Sequence, residues 1–130
     1  MPKHSPNQSL ADSLERIERA EALVQVHGFA VVRTDSTLTD ALLHNLLIAS
    51  EAVTRLKNEW PERYVALEKR YPLVDFYAFR RMGDVLPHAY GDIDLTIVEQ
   101  NLAVLICAVR DAIQDELALS RVFPPPELEV

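Results

Sequence analysis

Between residues 80 and 94 the chain gathers two arginines, a histidine, a tyrosine and three aspartates, in the run Arg80-Arg81-Met82-Gly83-Asp84-Val85-Leu86-Pro87-His88-Ala89-Tyr90-Gly91-Asp92-Ile93-Asp94. An imidazole exchanges its proton near neutral pH with little tuning, so His88 is the natural general acid or base. Arginine stays charged and presents a planar fork of donors that fits two phosphate oxygens. Arg80 and Arg81 are therefore suited to offset charge developing on a phosphodiester. Together these groups suffice to cleave RNA with neither a metal nor another cofactor: a base removes the 2′-hydroxyl proton while a guanidinium offsets the phosphorane charge. The plain alternative is that His88 sits in a turn after Leu86-Pro87 while the arginines form a solvated face. They would then pair with Asp75, Asp84 or Asp92 for a modest gain.

The elements that must position these groups follow from periodicity and stop signals. The arginines fall on the last turn of a helix that opens at Asp75 and turns Phe76, Phe79 and Met82 to the core. Gly83, Pro87 and Gly91 keep the following segment in a bend. Upstream, residues 1–8 with Pro2 and Pro6 read as a loose lead-in. A first helix then carries Leu10, Leu14, Ile17, Ala20 and Val24 at intervals of three and four, and Gly28 stops it. His27 near that end complements the helix dipole. Residues 29–33 are apolar enough for a strand but have no partner strand, so they read as a connector or helix extension. A second helix over residues 37–58, capped by Asp35 or Ser36, has an apolar stripe that includes Asn45, whose buried amide needs a partner. His44 and Glu51 share one face of it, with no third ligand at metal spacing nearby. A short third helix covers residues 61–69 and ends at Tyr71-Pro72, with Trp60 and Tyr64 as core or interface anchors. Asp94 caps a long last helix carrying Leu95, Val98, Leu102, Leu105, Ile106, Val109, Ile113 and Leu117. Ile97 and Val104 widen this stripe beyond what one neighbouring helix needs, which suits the centre of a bundle or a contact between two copies.

A length of 130 residues fits one domain with a single core. It is read as a helical domain over residues 9–120, between the lead-in of residues 1–8 and a proline-rich tail over residues 121–130. Apolar residues make up 48% and charged ones 25%, as in ordinary globular chains. No apolar run approaches the roughly eighteen residues of a membrane span, so no membrane partner is expected. The N-terminus lacks the apolar segment of a signal peptide and the single Cys107 has no partner within the chain. Both features fit a cytoplasmic setting, with Cys107 a small core residue. A net charge of −7 excludes a broad nucleic-acid footprint, so any RNA contact must be local, around Arg80 and Arg81. Three glycines leave little scope for a backbone phosphate cradle, and CxxC, Walker, HExxH and GxSxG patterns are missing.

Glu51-Ala52-Val53, Leu73-Val74-Asp75-Phe76, the run from Arg81 to Tyr90, Asp92-Ile93-Asp94 and the apolar last helix together resemble the HepT-like branch of the HEPN family, over most of the chain. The resemblance implies an all-α, up-and-down bundle of about five helices that forms a homodimer. It also implies a metal-independent ribonuclease toxin, encoded beside a nucleotidyltransferase antitoxin that in some members adenylylates a tyrosine. Carried over by position, His88 matches the family histidine and Tyr90 the modifiable tyrosine. The family's four-residue spacing back from the histidine lands on Gly83, with Asp84 at the asparagine position as a supporting group. Arg81, beside Arg80, stands at six-residue spacing, and Pro87 replaces a usually apolar residue. Two functional readings follow: a toxin that cuts RNA with His88 and Arg81, or a catalytically decayed HEPN subunit that binds a nucleotidyltransferase or its substrate. A plain helical scaffold is a third.

Overall fold

Ser5 opens helix α1 (Pro6–His27) by accepting a hydrogen bond from the Gln8 amide, and Pro6 takes the first-turn position, where a missing N–H costs nothing. The helix thus starts inside the stretch read as a lead-in, because its cap and first-turn proline precede the first periodic apolar residue. The computed structural model describes residues 5–86 and 93–123. His88, Tyr90, Pro87, Gly91, Asp92 and the proline-rich run lie outside the described residues.

Gly28 ends α1 at φ +82°, a conformation that favours glycine. Residues 29–33 contribute a one-turn helix, α2 (Phe29–Val32), which buries Phe29 and Val32 and so gives an apolar run a helical use in place of a strand. Asp35 caps α3 (Ser36–Glu59) at the Thr37 and Leu38 amides. Helix α4 (Pro61–Arg70) starts on its proline and stops at Tyr71, and Asp75 caps α5 (Phe76–Val85) at the Ala78 amide. Asp94 caps α6 (Leu95–Asn101), which runs through a π turn (Leu102–Ile106) into α7 (Cys107–Val122). The chain is all-α, with no strand among the described residues.

The π turn has a physical cause in the apolar spacing. Buried Val98 and Ile106 lie eight residues apart, which in a regular helix leaves them about 80° out of phase. A wider turn absorbs about one residue and returns both to the same face. The stripe that reads as too wide is thus two stripes joined by a phase correction, while Ile97 and Val104 remain exposed at 53% and 71%.

Helix α3 lies at the centre, packed on α1, α5 and α4, and α1 is covered on another side by α7. The core joins Leu10 and Ile17 of α1, Leu42, Leu46, Val53 and Leu56 of α3, Phe76 and Phe79 of α5, and Ile106, Val109 and Ile113 of the last run. Small residues let α1 and α3 approach closely: Ser13 Oγ donates to the Ala49 carbonyl at 2.9 Å and Arg55 Nε donates to Ser9 Oγ at 2.8 Å. Arg110 clamps α7 to α1 by donating to both Glu21 oxygens at 2.8 and 2.9 Å. No helix among the described residues is long and apolar enough to cross a membrane.

Glu116, 5% exposed, is the one buried carboxylate among the described residues. It accepts from Arg63 Nε at 3.3 Å and Arg70 Nε at 3.0 Å. Arg63 Nη2 also donates to Asn7 at 2.8 Å and Ser120 at 3.0 Å, so the start of α1, all of α4 and the end of α7 share one polar knot. Beside it, the Tyr71 hydroxyl donates to Asp115, and burial together with that carboxylate pushes the phenol well above its usual range. Burial also raises Tyr64, against an opposing hydrogen bond from Arg80.

Two outcomes follow. Glu116→Leu leaves Arg63, whose side chain is 13% exposed, as an uncompensated buried charge, and is expected to cost about 3–5 kcal/mol. Arg70→Ala removes a half-exposed partner and is expected to cost less than about 1 kcal/mol. Urea midpoints at unchanged m-value measure both. In alkali, the folded chain holds the Tyr64 and Tyr71 protons after unfolded tyrosines, which ionise near pH 10, have lost theirs. Stability is therefore complete below about pH 10 and falls as pH rises beyond it. Thermal melts across that range are expected to show a shallower fall for Tyr71→Phe.

Candidate functional site

The phase of α5 decides which of its side chains are available. Phe76 and Phe79 are fully buried, and Gly83, one turn further on, rests against Ser50 of α3. A Cβ at Gly83 would stand 2.9 Å from Ser50 Oγ, which itself donates to the Leu47 carbonyl at 2.8 Å. The position at four-residue spacing from His88 thus faces α3, where a side chain would press on the Ser50 hydroxyl. Arg81, two residues earlier and about 200° around the helix, is exposed on the other side.

The two arginines, alike in sequence, differ in their surroundings. Arg80 is half-buried: its Nε donates to the Tyr64 hydroxyl at 2.9 Å, and its guanidinium lies 5.3 Å from the Tyr64 ring and 5.5 Å from the Tyr77 ring. Arg81 touches only the outer part of this cluster, with Nη1 donating to the Tyr77 hydroxyl at 3.3 Å and the guanidinium 6.0 Å from its ring. Among the described residues neither arginine forms an ion pair. The pairings with Asp75 and Asp84 that the plain alternative offers are thus not made. The Asp75 carboxylate caps α5, and Asp84 is exposed.

Arg81 also borders a cavity of about 420 Å³ between α5 and α6. Fully buried Leu46 and Ile106 form its depth, and Met82, Val85, Ile97 and Val98 are among its apolar walls. Arg81, Asp94 and Asn101 supply its polar groups. Asp94 is already engaged in capping α6. Leu86 and Ile93, which flank residues 87–92 in sequence, both line this cavity. His88 and Tyr90 fall on that segment and lie outside the described residues, so the arrangement of Arg81 and His88 rests on sequence spacing.

Other singled-out residues find structural roles. Asn45 donates to the Ala41 carbonyl at 2.9 Å and accepts from Arg16 at 3.1 Å, which satisfies its amide. His44 and Glu51 are exposed, and Tyr64 is a core residue with Trp60 packed at its edge. Cys107 is half-buried and its thiol donates to the Ala103 carbonyl at 3.1 Å. Sequence reading passed over Tyr77. Its signal was present in the spacing: it precedes Arg80 by three residues and Arg81 by four, the separations that meet on one helix face.

The described residues thus form an all-α bundle in which Asp-capped helix α5 carries an exposed arginine beside an apolar cleft. The family model for ribonuclease HepT-like proteins matches residues 13–116, and the chain belongs to that family. Comparison with the curated proteins and with the solved structures gave no match.

The seat of Gly83 is testable. Alanine gains up to about 1 kcal/mol of helix propensity over glycine, but forcing a methyl onto Ser50 Oγ costs about 1–3 kcal/mol. Gly83→Ala is expected to lower stability by about 1 kcal/mol and the melting temperature by about 3–5 °C. Adding Ser50→Ala removes the obstructing oxygen and is expected to restore the melting temperature, which calorimetry of the single and double variants measures.

Proposed function

We propose that this chain is a ribonuclease toxin that cleaves RNA without a metal and is held in check by a nucleotidyltransferase antitoxin. The observation that carries the reading is Arg81: exposed, without an ion pair among the described residues, and on the wall of the cavity at which the His88 segment begins and ends. His88 takes the 2′-hydroxyl proton or protonates the departing 5′-oxygen, and water serves in the other of these two transfers. The 2′-oxygen bonds to phosphorus as the bond to the 5′-oxygen breaks, leaving a cyclic phosphate and a 5′-hydroxyl. Arg81 offsets the charge on the phosphorane, and Arg80, locked on Tyr64, steadies Tyr77 and the helix that carries Arg81. Asp84 supports the site from the last turn of α5. Tyr90 is the acceptor through which the partner enzyme silences the toxin by adenylylation. Exposed Ile97 and Val104 support a homodimer that brings two such sites together.

A second reading, a non-catalytic subunit that docks the nucleotidyltransferase or its substrate, is favoured by Gly83, because its contact with Ser50 denies an arginine to the four-residue spacing. Labelled mixed-sequence RNA and transfer RNA incubated in EDTA with the purified protein separate the two. The toxin reading expects cleavage that falls at least about a hundredfold in His88→Ala and in Arg81→Ala, each still folded by circular dichroism. Arg80→Ala is expected to act mainly through a lower melting temperature. No cleavage by protein shown by mass spectrometry to be free of adenylylation overturns the toxin reading and favours the second.

A further inference from the structure

Tyr77 is 56% exposed and takes no part in the hydrophobic core, unlike Tyr64 and Tyr71. Its ring is held instead by charge. The Arg80 guanidinium, itself fixed by a hydrogen bond to buried Tyr64, lies 5.5 Å from the ring centre. Arg81 lies 6.0 Å away and donates to the hydroxyl. Tyr64, Arg80, Tyr77 and Arg81 thus form a chain of alternating rings and guanidiniums that begins in the core and ends in solvent. A large aromatic side chain kept in the open by neighbours that do not bury it has a surface available for a second planar group.

We infer that Tyr77 is a stacking platform for a nucleobase of single-stranded RNA, placed so that the base rests against its ring while Arg81 engages the adjoining phosphate. This rests on the proposed ribonuclease reading and adds to it the residue that recognises bases. Charge selects the occupant. A chain of net charge −7 offers RNA few cationic contacts, so affinity has to come from a term that does not scale with the number of phosphates neutralised. Base stacking is such a term, and it tolerates any sequence because every base has a π-face. Arg81, exposed beside the ring, offsets the charge of the adjoining phosphate.

The experiment uses the full chain in a His88→Ala background, which keeps the RNA intact. Fluorescence anisotropy reports binding of a labelled single-stranded RNA of mixed sequence, and of a ribose-phosphate chain of equal length without bases. Tyr77→Leu is expected to weaken binding of the base-bearing strand by roughly tenfold or more, and Tyr77→Phe, which keeps the ring, to recover most of that loss. Neither alters binding of the base-free strand, whereas Arg81→Ala weakens both. With His88 present, Tyr77→Leu raises KM and leaves kcat in place. Equal affinity of Tyr77→Leu and its parent for the base-bearing strand overturns the platform. So does a change of oligomeric mass by light scattering that accounts for the loss, since Tyr77 then serves contact between copies. Cleavage that continues in Tyr77→Leu with unchanged KM overturns the platform and leaves the ribonuclease reading standing. Tyr77-dependent binding by a protein that cuts nothing supports the platform and removes the ribonuclease reading. A parent that binds no RNA overturns both.

Discussion

Helix α5 approaches α3 as closely as a buried serine hydroxyl permits, and the rest of the site depends on that approach. Glycine lowers helix propensity by about 1 kcal/mol, yet at position 83 it lets Phe76 and Phe79 seat fully in the core. With the inward face fixed by two phenylalanines and a glycine, the outward face is fixed as well. It carries Tyr77 and Arg81. The same placement leaves a cleft between α5 and α6, since α5 leans on α3 while α6 and the π turn continue into the helix that packs on α1.

Helix α4 links this face to the far side of the bundle. It has ten residues, buries Tyr64 and Leu67 in the core, and is anchored on two further sides by polar groups. Arg63 and Arg70 reach the Glu116 carboxylate on α7, and Tyr64 accepts from Arg80 on α5. A series of polar contacts thus runs from a carboxylate on the last helix through α4 to Arg80 and the Tyr77 ring. Buried charge of this kind adds little net stability but is costly to break, which suits a role in fixing geometry.

Much of the fold was legible because helix ends carry local chemistry. Asp35, Asp75 and Asp94 cap where their side chains can reach the next turn, Pro61 begins a helix, and Gly28 ends one. The start of α1 was misplaced because Ser5-Pro6 lies ahead of the apolar pattern, and the π turn was hidden because eight-residue spacing looks like a broad stripe until the helix is built. At the site, the pair Arg80-Arg81 was legible as a cationic spot. What separates the two is tertiary: a tyrosine sixteen residues away claims one, and the cleft leaves the other open. Glu116 was illegible for the same reason, since its arginines come from 46 and 53 residues away. His88 and Tyr90 remain assignments from the motif alone.

The surface around Arg81 also sets how a bound strand would respond to its medium. Under the proposed reading one arginine is free to engage phosphate while its neighbour is committed to two rings, so the count of displaced counterions is about one. The logarithm of affinity then falls with the logarithm of salt at a slope of only about −0.7, far from the steep dependence of proteins that coat their nucleic acid with lysine and arginine. Such a toxin would meet RNA by short-range fit and not by long-range attraction. Its encounters would be slow and its grip nearly indifferent to the ionic strength of the cell.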